Sequence, residues 1–229
     1  MKTSTGGKER KKSEKKSNHF TRARFSFKNS FKGFNYMEKN NTAMFRNNLN
    51  KPIWEIGKFG EQQAKVWLKK NGATVYTEGY TSESYWERKD KNILFDLSNL
   101  QEVQRGFIEQ IENKISRKLT KVEAYYLVDS NPNKKVLLKI QEKIGRELSE
   151  KEKLFVGQPY ADFFVIFPDN TFGWVEVKST KGNRKLPTAF SGKRQTIVFN
   201  LLKGTEVPLF ILRVYLKEEK SEFKLIRWQ

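Results

Sequence analysis

Tyr160-Ala-Asp162-Phe-Phe-Val-Ile-Phe-Pro168, Asp169-Asn170, and Phe172-Gly-Trp-Val-Glu176-Val-Lys178-Ser-Thr180 form the stretch on which the reading of this chain turns. The first segment is an apolar strand with one acid near its start, the second a turn, the third a returning strand. Side chains alternate along a strand, so Glu176 and Lys178 share one face while Val175 and Val177 share the other. A hairpin closing at Asp169-Asn170 brings Asp162 beside Glu176 at the open end of the ribbon. Two carboxylates and a lysine then converge in strands apolar enough to be buried. Buried like charges repel unless something neutralises them, and a divalent cation with oxygen ligands is the usual solution. The bland alternative is an exposed Glu176–Lys178 ion pair of little energetic consequence.

Working outward, Lys193-Arg-Gln195-Thr-Ile-Val-Phe-Asn-Leu-Leu-Lys203 reads as a helix. Gln195 falls on the face of Val198 and Leu202, so a polar residue is expected to point inward. Pro208–Leu216 supplies the next strand. Upstream, residues 54–70 read as a helix with Ile56, Phe59, Val66 and Trp67 at helical spacing. Gly57, Gly60, Glu61, Ala64 and Leu68 occupy an adjoining side. Two glycines inside a helix cost stability and predict close approach of another backbone, with Glu61 at the edge of that contact. Residues 72–77 follow as a turn and a strand.

This ordered set resembles the PD-(D/E)xK nuclease superfamily. It comprises a helix with Gly57-x-x-Gly60-Glu61, a strand with Asp162, a strand with Glu176-Val177-Lys178, and a helix with Gln195. Within the superfamily it is most similar to archaeal-type Holliday junction resolvase domains. The matching regions are roughly 55–80 and 159–216, about a third of the chain. Two features depart from the pattern. No proline precedes Asp162, and the separation of 101 residues from Glu61 to Asp162 requires an insertion.

The resemblance implies an α/β fold with a restriction-endonuclease-like core, a mixed central sheet flanked by helices, occupying 51–229. It implies a Mg²⁺-dependent endonuclease that hydrolyses phosphodiesters in DNA, with Mn²⁺ as a substitute ion. Asp162, Glu176 and the Val177 carbonyl would hold the metal, with Glu61 completing the shell directly or through water. Lys178 would orient or help deprotonate the attacking water, and Gln195 would position water or phosphate. Lys181, Arg184 and Lys185 in the following loop, with Lys193 and Arg194, would grip the nucleic-acid backbone without reading bases. Relatives of this kind work as two-fold dimers, so a homodimer is one arrangement that the resemblance allows. The alternative from another class is a DNA- or RNA-binding protein on the same fold with no turnover.

Residues 84–156 form the expected helical insertion, and they carry a tandem repeat. Aligning Phe107–Glu123 with Val136–Glu152 at a 29-residue offset matches Ile111/Ile140, Lys114/Lys143, Ile115/Ile144, Arg117/Arg146, Leu119/Leu148 and Glu123/Glu152. Thr120-x-x-Glu123 and Ser149-x-x-Glu152 are capping boxes, so each copy reads as one helix ending and another starting. Two such helix-turn-helix-like units could offer a basic face to DNA. The competing reading is amphipathic helices that pack on the core.

Charge sets the partner class. Across 229 residues, 45 Lys and Arg face 26 Asp and Glu, a net +19, which favours polyanions. Residues 1–50 hold 13 of those cations against three acids, with no Val or Ile and only Leu49. They read as a disordered basic and aromatic arm, a mixture suited to single-stranded nucleic acid or to a solvated tail. With no cysteine and only His19, a disulfide framework, a thiolate zinc site, a cysteine nucleophile and a Ser-His-Asp triad are excluded. No apolar run approaches membrane-span length, and neither end carries a strongly basic amphipathic helix, so no membrane partner is expected. The N-terminus lacks the apolar region of a signal peptide, so an intracellular location is expected: cytoplasm or nucleoid, or nucleus or organelle in a eukaryote.

Overall fold

The computed structural model describes residues 37–39, 52–76, 96–128, 134–158, 160–182, 193–217 and 220–228. In chain order these carry β1 (Met37–Lys39), α1 (Ile53–Lys70), β2 (Thr74–Tyr76), α2 (Glu102–Ile115), α3 (Lys121–Val128), α4 (Lys134–Ile144) and α5 (Glu150–Gly157). Then follow β3 (Phe163–Ile166), β4 (Phe172–Lys181), α6 (Lys193–Leu202), β5 (Leu209–Leu216) and β6 (Lys220–Arg227). The strands form one mixed sheet in the order β1-β6-β5-β4-β3-β2. Only β4 and β5 run parallel, joined through α6 as a crossover requires. This is an α/β architecture with helices on both faces of a mixed sheet.

The two faces bury different partners. On one, Phe164, Ile166, Phe172, Trp174, Leu209 and Ile211 pack against α2, α3, α5 and α6 through Phe107, Ile111, Leu127, Phe155 and Phe199. The other is covered by α1, which lies on β4 and β5. Its buried stripe is Ile56, Phe59, Gly60, Ala64, Trp67 and Leu68. Val66, expected on that stripe, is 43% exposed. At 100° per residue Val66 falls off the arc centred between Gly60 and Ala64, and the small residues rather than the larger Val66 mark where α1 meets the sheet.

The turn between β3 and β4 closes as its residues dictate. Asn170 takes a positive φ of 61°, and Asp169 Oδ1 accepts from the Thr171 amide at 3.0 Å and its hydroxyl at 2.6 Å. Two differences from expectation concern the sheet edges. Met37–Lys39, inside the segment expected to be disordered, pairs with Lys220–Glu222 of β6 as the edge strand. Edge pairing uses backbone groups, so the absence of Val and Ile does not forbid it. The remainder of 1–51 lies outside the described residues. The strand β6 was not anticipated at all.

The tandem repeat is a duplication in three dimensions. Ile111 and Ile140 are fully buried, as are Leu119 and Leu148 nearly so. Both first helices end on a left-handed residue, Ser116 at φ 56° and Gly145 at φ 77°. Arg117 clamps Glu123 at 2.6 and 2.8 Å, and Arg146 clamps Glu152 at 2.7 and 2.9 Å. Each glutamate also accepts from its capping residue's amide at 2.9 Å, Thr120 or Ser149. The first unit packs on α6, and α5 of the second packs on α2, so the apolar faces of the repeats are used for packing on the core. No described helix is long and apolar enough to cross a membrane.

Candidate active site

The β3–β4 register pairs Phe163 with Val175 and Phe164 with Trp174, so one further step sets Asp162 opposite Glu176. Asp162 stands just before β3, where the ladder has ended. Its Oδ2 takes the place of a strand partner by accepting the Val177 amide at 2.8 Å. In an extended strand the amide and carbonyl of one residue point to the same side. The Val177 carbonyl therefore faces the Asp162 edge.

Glu176 is 2% exposed. Its Oε1 accepts from Lys178 Nζ at 2.8 Å. Its Oε2 is buried and has no hydrogen-bond partner among the described residues. This disposes of the surface-pair reading: the acid of the pair is inside, and half of its acceptor capacity is unused. Lys178 Nζ also donates to Gln195 Oε1 at 3.4 Å. Helix α6 thus points Gln195 inward onto the two charged residues of β4.

Helix α1 delivers Glu61. A Cβ added to Gly60 would lie 2.3 Å from Ser179 Cβ, so the helix sits against β4 only because that position has no side chain. Ser179 Oγ donates to the Ile56 carbonyl across the same contact at 3.4 Å. Gly57, expected to serve the same approach, faces open space. Glu61 follows Gly60, half-buried. Burial and then the Asp162 charge raise its pKa, while Lys58 and Lys178 lower it. Among the described residues no three acidic or histidine side chains stand close enough to form a metal cage. Glu61 nonetheless stands near enough to Asp162 to feel its charge.

Both carboxyls of the pair titrate above their ordinary range. For Glu176 the cause is burial first and the Asp162 charge second, against the pull of Lys178. For Asp162 burial outweighs the Val177 amide and Lys178. Two acids held this way share a site that one cation, Lys178, does not neutralise. An unpartnered buried oxygen, a second carboxylate beside it and a carbonyl aimed at the same edge form an all-oxygen donor set. Such a set fits a hard divalent ion such as Mg²⁺ or Mn²⁺.

The described members of the basic set expected to grip a backbone are dispersed. Lys181 ends β4 on the Val177–Ser179 face, opposite to Glu176 and Lys178. Lys193 opens α6. The guanidinium of Arg194 lies 5.4 Å over the Tyr126 ring of α3. Arg184 and Lys185 lie outside the described residues. Sequence reading passed over the residues that tie the insertion to the site. The last carbonyls of α3 accept three side-chain donors: Gln158 at Tyr126 (2.9 Å), Tyr160 at Leu127 (2.7 Å) and Gln104 at Val128 (2.8 Å). Gln158 and Tyr160 lead directly into Asp162, so the end of α3 braces the segment that carries the acid. A scattered Gln or Tyr offers no spacing signal that would reveal this.

Compared with known proteins, the chain matches no family model, no curated protein and no solved structure.

Proposed function

We propose that this chain is a metal-dependent nuclease of restriction-endonuclease-like fold that hydrolyses phosphodiester bonds in DNA. The observation that carries the reading is the buried Glu176, whose Oε2 has no partner beside a second raised-pKa carboxyl, Asp162. A purely structural core has no use for such a pair, since an apolar replacement costs less. Asp162, Glu176 and the Val177 carbonyl are the groups that would hold Mg²⁺ or Mn²⁺. Such an ion, when bound, lowers the pKa of water and neutralises charge on a scissile phosphate.

The chain's own residues do the rest. Lys178, oriented by Glu176 and Gln195, presents ammonium protons at the point where negative charge grows in the transition state. Gln195 holds that lysine and offers its amide to water or to a phosphate oxygen. Glu61 adds negative charge beside Asp162, which strengthens cation binding at the pair. Gly60 sets the helix that carries it at the required distance.

The test is cleavage of labelled plasmid, single-stranded, flapped and four-way-junction DNA with Mg²⁺, Mn²⁺ or EDTA, for wild type and Glu176→Ala. Metal-dependent cutting that the variant loses while it still binds DNA supports the enzyme, and the preferred substrate assigns its class. Salt-sensitive binding with no cutting on any substrate overturns the catalytic reading in favour of a binding module.

A further inference from the structure

The sheet places three cations side by side. Lys178 of β4 pairs with Arg213 of β5, and Arg213 pairs with Lys224 of β6. Residues directly opposed on neighbouring strands share a face, so all three side chains rise from the Glu176 face of the sheet. At about 4.8 Å per strand step, the row covers roughly 10 Å, leading from the acidic pair toward the sheet edge.

The row differs from its flanks. On one side Glu176, Ile211 and Ile226 form the neighbouring row. On the other stand Thr180, Tyr215 and Glu222, and the Glu222 carboxylate is taken by Lys217. Lys178 is neutralised by Glu176, but Arg213 and Lys224 are not. Among the described residues neither side chain makes a hydrogen bond or an ion pair. Arg213 is half-buried and Lys224 exposed, so both stand at the surface. Like charges directly opposed across two strands destabilise a sheet. Arg213 is thus held against Lys224 with no acid of the neighbouring rows to answer either charge.

We propose that Lys178, Arg213 and Lys224 form a track for the phosphodiester backbone of a nucleic-acid strand, along which the strand crosses β5 and β6 to reach Asp162 and Glu176. The inference rests on reading the chain as a nucleic-acid enzyme, and it adds two residues that lie far from the acidic motif in sequence. The row is linear and begins at the residue bound to the acidic pair, which suits a chain of phosphates better than a lone anion. The protein's net +19 adds long-range attraction for the same ligand. The cations would hold phosphates without reading bases.

The test is binding of fluorescent duplex and single-stranded DNA in EDTA, from roughly 50 to 200 mM salt. Wild type is compared with Arg213→Gln/Lys224→Gln and with the control Lys139→Gln/Lys143→Gln on α4. The track variant is expected to bind about tenfold more weakly, with a log–log salt slope shallower by about 2, and the control to match wild type. Its Tm should equal or exceed that of wild type, because a repulsion is removed. In Mg²⁺ its KM for cleavage should rise with little change in kcat. Unchanged affinity and slope overturn the track, as does an equal loss in the control. A protein that binds with this pattern but cuts nothing loses the nuclease reading and keeps the track. Preference for acidic lipid vesicles over DNA, abolished by the same substitutions, overturns the nucleic-acid assignment.

Discussion

The helical insertion and the β3–β4 ribbon both set glutamates beside cations, and they treat them in opposite ways. In the insertion, Glu123 and Glu152 each receive a two-pronged arginine and a capping amide. The Arg117 guanidinium holds Glu123 down to about 2, and Arg146 holds Glu152 below its ordinary value. In the ribbon, Glu176 has one lysine, an oxygen with no hydrogen-bond partner among the described residues and a neighbouring carboxylate, and burial and that carboxylate drive its pKa up. Where this chain uses charge to shape a turn, it satisfies every acceptor. Where it places two acids together, it leaves them short of positive charge. That contrast separates a carboxylate whose charge the fold answers in full from one whose charge it leaves uncompensated.

The largest effects should come from the ribbon. Glu176→Gln and Asp162→Asn are each expected to reduce cleavage by about 10³-fold or more, since each removes a charge from the pair that carries the proposed chemistry. Lys178→Met should reduce kcat by roughly 10²-fold, far more than the loss of DNA affinity caused by removing one end of the phosphate track, the signature of a contact made as charge develops. Wild-type cleavage by either carboxyl variant would erase the distinction between the two regions.

Packing comes next. Gly60→Ala puts a methyl group into Ser179 and should cost about 1–3 kcal/mol in urea unfolding despite alanine's better helix propensity. Gly57→Ala, in open space, should stabilise by up to about 1 kcal/mol. Equal behaviour of the two would mean that α1 does not sit against β4 as described.

The pH dependence sharpens the contrast further, because the two sets titrate in opposite senses. The folded state holds the Glu176 and Asp162 protons more tightly than the unfolded chain. In EDTA this contribution is therefore intact below about pH 4 and is lost as pH rises through the elevated pKa values. Glu123 and Glu152 have depressed pKa values, so their contribution is present above about pH 5 and is lost as pH falls through them. Urea titrations across this range should show the alkaline loss reduced in Glu176→Gln. The smallest effect belongs to the clamps: Arg117→Ala or Arg146→Ala should lower Tm by about 1 °C and leave cleavage unchanged.

Much of this was legible in the sequence because it depends on local rules. The Asp169-Asn170 turn and the two-residue alternation are enough to set Asp162 opposite Glu176, and the structure keeps that register. The repeat could be read from its paired capping boxes, and Arg117/Arg146 are among its matches although their clamp function was not foreseen. What escaped depends on long-range pairing. Arg213 and Lys224 join Lys178 only through the β4–β5–β6 register, which no spacing along the chain encodes. Val66 looked like a core residue because it is apolar, whereas the face of α1 was decided by the glycine and alanine that let the helix approach. The strand at Met37–Lys39 uses backbone bonds to an edge, and its composition argued for no structure at all.

The most direct test of the account is thermal melting of wild type and Glu176→Gln at neutral pH, in EDTA and in Mn²⁺. The account predicts that Glu176→Gln melts higher in EDTA, by about 2–4 °C for each kcal/mol of relieved repulsion. It also predicts that Mn²⁺ raises the Tm of wild type and not of the variant. A variant that melts lower in EDTA, with neither protein responding to Mn²⁺, would contradict the claim that the Asp162–Glu176 pair is built for a cation.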